Sequence, residues 1–432
     1  MSEAVHLMGV GGVGMAAVAE LELGRGGRVS GCDGRDSATL ARLAALGVAT
    51  CVGHDPKHLD GIDRLVVSSA IKPDNAELAA ALARPDVTVQ HRSQALAAIA
   101  NQRRLIAVAG THGKTTTSAM AVAALEAGGF DPSYAVGSEL IGRGSGARLG
   151  AGDVMVIEAD ESDGSFLNYA PLVAVVTNVE LDHGDHYPSW EAYLEAFTAF
   201  ADRILPGGCL IACECDQGAR ALMDHVAARP EPPEIIAYGA GGGWSDLGLT
   251  GRHLALNAEA AGLAAEWLGA DRERARAGLA AFAGTARRFE ERGRAGGVAV
   301  VDDYAHHPTE IAATLAAARE RVGAGRVLVL FQPHLYSRTK QFARAFGQAL
   351  AGADQVWLLD VYGAREEPVA GVDSGLIAAA LPKGRAEWAR DRGAVPALIA
   401  RAARPGDIVL TMGAGDVTEL GPAILAELEA RG

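Results

Sequence analysis

Lys114 and Thr115 stand directly after a glycine in the run Gly110-Thr111-His112-Gly113-Lys114-Thr115-Thr116, the grouping of residue types in this chain best suited to chemistry. Backbone N–H groups of a glycine-containing turn can converge on phosphate oxygens, a lysine ammonium can reach the outer phosphates, and a hydroxyl can ligate Mg²⁺. The full P-loop pattern has a further glycine where this chain has Val108, so this is the shortened GxxGKT form. Downstream, Glu158 opens an acidic run that ends at Asp163, and Asp182, His183 and Asp185 follow Asn178. A carboxylate and an imidazole beside a phosphate-binding loop can hold a divalent cation between nucleotide phosphates and a second acceptor. A third group comprises Asp302-Asp303-Tyr304-Ala305-His306-His307, Gln332-Pro333-His334 with Tyr336 and Arg338, Asp360-Val361-Tyr362, and Gly413-Ala414-Gly415-Asp416. A single histidine on a loop is commonly structural, whereas His, Tyr, Arg and Asp gathered at strand ends point to a functional site.

Strands must present these residues. Leu105–Val108 is an apolar run before the lysine loop, residues 154–157 precede Glu158, and residues 172–177 precede Asn178. In open parallel sheets, ligand sites collect at the carboxyl ends of strands. Near the start of the chain, residues 5–8 lead into Gly9, Gly11 and Gly14, which fit GxGxxG, and Asp33 closes the next apolar run at the spacing of a ribose-binding acid. That arrangement predicts a nucleotide or nucleotide-sugar diphosphate. Further βα units are expected at 65–68 with a helix from Asn75, and at 87–90 with a helix from Ser93. Asn101–Arg104 and the polar, basic stretch Gly284–Gly297 read as linkers, with helices at 190–200, 217–227, 255–268 and 272–281 between them. The apolar runs of the third unit are 298–301, 327–331, 355–359 and 408–412.

With 432 residues, 49% of them apolar, the chain is long enough for two or three conventionally cored domains. A net charge of −14, from 39 basic and 53 acidic residues, argues against nucleic acid as a partner, so any polyanion must meet local basic sites. Five Cys without a signal sequence are expected to be reduced thiols in the cytoplasm, and the cluster Cys209, Cys213 and Cys215 is read as buried thiols rather than metal ligands. No apolar run reaches the roughly 18 residues of a membrane span.

GVGGVGM from Gly9, SSAIKPDNAE from Ser68, GTHGKTTT from Gly110, EADESDGSF from Glu158 and TNVELDHGD from Thr177 together resemble the Mur ligases. RRFE from Arg287, DDYAHHPTE from Asp302, FQPHLYSRT from Phe331 and GAGDVT from Gly413 extend the resemblance end to end, and favour the alanine-adding branch. The resemblance implies an α/β chain of three domains: a Rossmann-like UDP-sugar domain (1–101), a central P-loop ATPase-like parallel sheet (102–285) and a Rossmann-like amino-acid domain (286–432). It implies ATP-dependent joining of L-alanine to the lactyl carboxylate of UDP-N-acetylmuramate through an acyl phosphate, with Mg²⁺, or Mn²⁺ in its place, and no nucleic-acid or membrane partner. By the same resemblance, Lys114, Glu158, His183, His306 and Arg338 are catalytic, and Thr115, Glu158 and His183 hold the metal. Gly110, Thr111, His112, Gly113, Lys114, Thr115, Thr116, Asn257 and Arg288 would bind ATP, with Asn257 at adenine. Gly11, Gly12, Val13, Gly14, Asp33, Ser69, Ala70 and Arg92 would bind the UDP-sugar, and Tyr304, His306, His334 and Arg338 the amino acid. Three departures stand out: a short segment between Gly239 and Gly251, Leu254 where the family has Asn, and Leu335 where it has Arg. A tripeptide-recycling ligase and a drifted nucleotide-binding homologue are the alternatives.

Overall fold

Parallel strands covered by helices on both faces must be apolar throughout, and this chain meets that demand at Arg104–Ala109, Val154–Glu158, Val173–Val176 and Cys209–Cys213, whose aliphatic residues are buried. The computed structural model describes residues 3–184, 186–239, 243–244, 247–364 and 366–431. Among these residues the strands form three sheets.

The first sheet is parallel, in the order Ala49–Val52, Arg28–Asp33, Ala4–Met8, Arg64–Val67, Thr88–His91. Its strand order reverses beside Ala4–Met8, the position at which Rossmann-like sheets open a ligand crevice. The second sheet runs Glu234–Tyr238, Cys209–Cys213, Val173–Val176, Arg104–Ala109, Val154–Glu158, Ser133–Ala135, Ala147–Arg148, and only the last pairing is antiparallel. The third runs Glu290–Ala295, Val298–Asp303, Ile408–Met412, Val327–Phe331, Gln355–Leu358, Ala386–Trp388, with the first pairing antiparallel.

The chain divides into two compact units, Met1–Gly248 with Leu256–Ala283, and Leu249–Ala255 with Gly284–Gly432. The first contains both N-terminal sheets. In the stretch expected as the first linker, Asn101 anchors a turn between helix Arg92–Ala100 and strand Arg104–Ala109: its amide donates to the Asn168 carbonyl and its side-chain oxygen accepts from Ala170 N–H.

Two expectations are corrected. The stretch Gly284–Gly297 is not simply a linker, because Glu290–Ala295 pairs with Val298–Asp303 at the sheet edge. An edge strand can carry charged side chains toward water, and so its composition resembles that of a loop. Asp302 and Asp303 belong to strand Val298–Asp303 and are buried, rather than displayed on a strand-end loop. The short segment after Gly239 delivers Trp244, fully buried against Gly262 of helix Arg252–Trp267, with the Arg272 guanidinium 5.0 Å from its ring centre. Residues 240–242 and 245–246 of that segment lie outside the described residues.

Candidate active site

The lysine loop leaves strand Arg104–Ala109 and enters helix Lys114–Ala127. Gly110 has φ +132°, and a Cβ there would meet Thr177 Oγ1 at 2.0 Å, so both backbone conformation and space demand glycine. Gly113, the residue before the helix, has φ +83°, and a Cβ on it would come within 2.8 Å of Asn257 Oδ1. Asn257 is thereby placed against the loop. The loop is pinned from the neighbouring strand end: His112 N–H donates to Asn178 Oδ1 at 2.9 Å, Thr111 N–H to the Asn178 carbonyl at 3.1 Å, and Thr111 Oγ1 to the Glu180 carbonyl at 2.8 Å.

Lys114 Nζ donates to the Gly110 and Thr111 carbonyls at 2.6 and 3.1 Å and lies 2.8 Å from Glu161 Oε2. Burial alone would depress its pKa, but the Glu161, Asp160 and Glu158 carboxylates outweigh that and hold the ammonium charged. Asp160 shows the converse: burial raises its pKa, and the Lys114 charge and Ser162 bring it below the usual carboxylate range. Glu161 is fully buried and was not singled out from the sequence. It accepts from Tyr193 Oη at 3.3 Å, and its backbone carbonyl accepts from Tyr187 Oη at 2.6 Å. Those two rings pack edge to face on one another, and Tyr193 does so on Phe197, so an aromatic core wall positions the polar ends.

The proposed metal residues fall into two contacts. Thr115 Oγ1 donates to Glu158 Oε1 at 2.9 Å, while Glu158 Oε2 accepts from Gly137 N–H at 2.7 Å. His183 Nε2 lies 3.4 Å from Glu161 Oε1 and 3.9 Å from Asp182 Oδ2. Burial lowers the His183 pKa, but Glu161 and Asp182 raise it further, so its net shift is upward. His183 adopts φ +53°, a conformation that costs a non-glycine residue strain and is found preferentially at functional sites. A hydroxyl, carboxylates and an imidazole form a donor set suited to a hard divalent cation. Asp185 lies outside the described residues.

Glu158 also lines a cavity of about 540 Å³ together with Gly12, Val13, Gly14, Asp33, Ala70 and Arg92. Gly11 is behind this lining, its N–H donating to Asp33 Oδ2 at 3.0 Å. Asp33 therefore holds the glycine loop in shape as well as facing the cavity. Ser68 lines it too, whereas Ser69 is exposed outside the lining.

In the second unit, the structure brings Tyr304, His306, His334 and Arg338 together. The Tyr304 and His306 rings are 5.3 Å apart, those of His306 and His334 6.1 Å, and Arg338 Nη1 is 3.4 Å from His334 Nδ1. Arg288 stacks on Tyr304 at 5.1 Å and faces Glu310 at 3.8 Å. His334 also stacks on Tyr362. Leu335, directly before helix Tyr336–Leu350, has φ +70°, another strained position beside the cluster. Asp302 and Asp416 serve structure instead: Asp302 accepts from Thr411 and Thr418, and Asp416 pairs with Gln332 and Arg392.

Three family models match in order: the Mur ligase family catalytic domain over residues 4–104, the Mur ligase middle domain over 108–247, and the Mur ligase glutamate ligase domain over 287–415. The UDP-N-acetylmuramate–L-alanine ligase of Kineococcus radiotolerans is 52% identical, over 99% of this chain and 96% of its own length. That of Saccharopolyspora erythraea is 49% identical, over 99% and 94%. The crystal structure of the UDP-N-acetylmuramate-alanine ligase of Thermotoga maritima superposes with a TM-score of 0.80 at 24% identity, covering 99% of this chain and all of its own, and so shares the fold. By its matched models and its full-length relatives, this chain belongs to the Mur ligase family.

Proposed function

We propose that this protein joins L-alanine to the lactyl carboxylate of UDP-N-acetylmuramate at the expense of ATP, a cytoplasmic step of peptidoglycan synthesis. The observation that carries the reading is the position of Glu158, which touches Thr115 at the lysine loop while lining the cavity under the Gly9–Gly14 loop. A carboxylate to be activated and a phosphoryl donor would thus meet at one strand end. Residues 1–101 are assigned to the UDP-sugar, 102–285 to ATP and 286–432 to the amino acid.

A carboxylate is a poor electrophile toward an amine, so its oxygen first attacks the γ-phosphorus and ADP leaves. The acyl phosphate then accepts the alanine amine at its carbonyl carbon, and the tetrahedral adduct collapses to amide and phosphate. The N–H groups of Gly110–Lys114 receive phosphate oxygens, and Lys114 neutralises charge on the transferring group. Thr115, Glu158 and His183 would hold Mg²⁺, which when bound supplies positive charge shared by the nucleotide phosphate and the substrate carboxylate. Arg338 offers a guanidinium to the alanine carboxylate, with His306, His334 and Tyr304 shaping its surroundings.

The test is phosphate release from ATP and Mg²⁺ with UDP-N-acetylmuramate, scanning single amino acids against the recycled tripeptide. Release that requires both the sugar nucleotide and L-alanine is expected, and Lys114→Ala should abolish it. Equal release with the tripeptide alone, or none with any acceptor despite ATP binding, would reject the proposal.

A further inference from the structure

Behind the glycine loop of the first sheet lies a second group of metal-binding side chains. His6 comes from strand Ala4–Met8, Cys32 from Arg28–Asp33, His58 from the turn Pro56–Leu59, and Glu77 from the first turn of helix Ala76–Leu82. One donor atom of each lies within 4.8 Å of all the others. Glu77 Oε1 is 2.9 Å from His6 Nε2 and 3.3 Å from His58 Nδ1, and Oε2 is 3.4 Å from Cys32 Sγ. A tetrahedral zinc ion, about 2.0–2.3 Å from each N, O or S donor, needs donors spaced about 3.3–3.8 Å apart. With Glu77 Oε1 as the carboxylate donor, its spacings to His6, His58 and Cys32 run from 2.9 to 3.8 Å and the remaining pairs lie within 4.8 Å, so a cation would be accommodated by donor shifts of no more than about an ångström.

The chemistry of the cluster asks for a cation. Glu77 is fully buried, yet among the described residues its ion pairs run only to His6, His54 and His58. A buried carboxylate without a fixed positive partner is costly. His6 Nε2 is buried and points at the cluster without meeting hydrogen-bond geometry, while its other ring nitrogen sits 2.8 Å from Ser30 Oγ. That second contact orients the imidazole in the manner of an outer partner to a metal ligand. Cys51 Sγ lies 3.4 Å from His58 Nε2, and His54 Nδ1 lies 3.3 Å from Cys32 Sγ, completing a surround of soft and borderline donors.

We infer that His6, Cys32, His58 and Glu77 form a structural zinc site that ties together two strands, a turn and a helix start of the first sheet. The site is separate from the Thr115, Glu158 and His183 set, and four protein donors leave it no open position for catalysis. Cys32 immediately precedes Asp33, which holds the Gly11 N–H, so the metal would brace the base of the cavity.

The experiment uses the full chain, purified without added metal and passed through chelating resin, then analysed for total metal. About one zinc per chain is expected to remain. Replacement by Co²⁺ should give a thiolate-to-cobalt charge-transfer band and intense tetrahedral d–d bands. Cys32→Ser should abolish the charge-transfer band, and His58→Gln, at the more accessible edge, should lose the metal even if the cysteine variant fails to fold. Cys51→Ser should retain both. Absence of bound metal, a charge-transfer band that survives Cys32→Ser, or loss of both thiol titres to a Cys32–Cys51 disulfide would each overturn the inference.

Discussion

Glu161 decides how Lys114 is held. The ammonium donates to two loop carbonyls and to this one fully buried carboxylate. Removing one member of a buried ion pair leaves the other uncompensated, at a cost on the order of 3 kcal/mol. Glu161→Gln is therefore expected to lower the melting temperature measured without nucleotide. ATP with Mg²⁺ would supply the missing anion, so the nucleotide should raise the melting temperature more in the variant than in the wild type; equal shifts would reject this role. At this scale the sequence was most legible where residue types were scarce. Lys114 is one of only five lysines, and its spacing from Gly110 and Thr115 is that of a phosphate loop. Glu161 was not legible, because it is one of four acids between Glu158 and Asp163, and the turn that folds it beneath Lys114 is set by tertiary contacts with Tyr187 and Tyr193.

Elements, rather than single residues, set the loop's geometry and the fate of Asp303. Gly110→Ala would force a side chain into Thr177 at a backbone angle that alanine resists, costing about 1–3 kcal/mol in strain alone. The expected outcome is a destabilised first unit and loss of ATP binding by calorimetry; an unchanged dissociation constant would contradict it. In the third sheet, burial raises the Asp303 pKa from 3.8 to about 6, against the opposing pull of Arg288 and the N–H groups of Ala305 and Phe289. The folded chain thus holds that proton more tightly than the unfolded one. This contribution to stability is complete below about pH 4 and is lost as pH rises through 6. Asp303→Asn cannot ionise, so the melting temperature of the wild type should fall relative to the variant between pH 4 and pH 6.5, and parallel curves would exclude the effect. Aliphatic runs made the central strands legible, whereas Glu290–Ala295 was hidden by its charges, and the two-residue strand Ala147–Arg148 is too short to show a pattern.

For the whole molecule, the alternation of strands and helices disclosed three α/β units in order, because parallel sheets require that alternation. Which strand ends face one another was not readable, since it depends on strand order and packing. That packing puts one carboxylate at two places. Glu158 accepts from Thr115 at the lysine loop and its side chain borders the cavity built on Gly12, Gly14 and Arg92. If both sites act through this carboxylate, UDP-N-acetylmuramate should tighten binding of a non-hydrolysable ATP analogue with Mg²⁺ by at least about 5-fold, and the analogue should tighten the sugar nucleotide by the same factor. Glu158→Gln keeps the size and most hydrogen bonding of the side chain but not its charge, and should bring that factor toward one. Calorimetric titrations of each ligand, with and without the other, measure it directly. A variant that binds both ligands and keeps the wild-type coupling would show that the link runs through other residues, whereas its loss would identify Glu158 as the charge that makes one ligand's presence felt by the other.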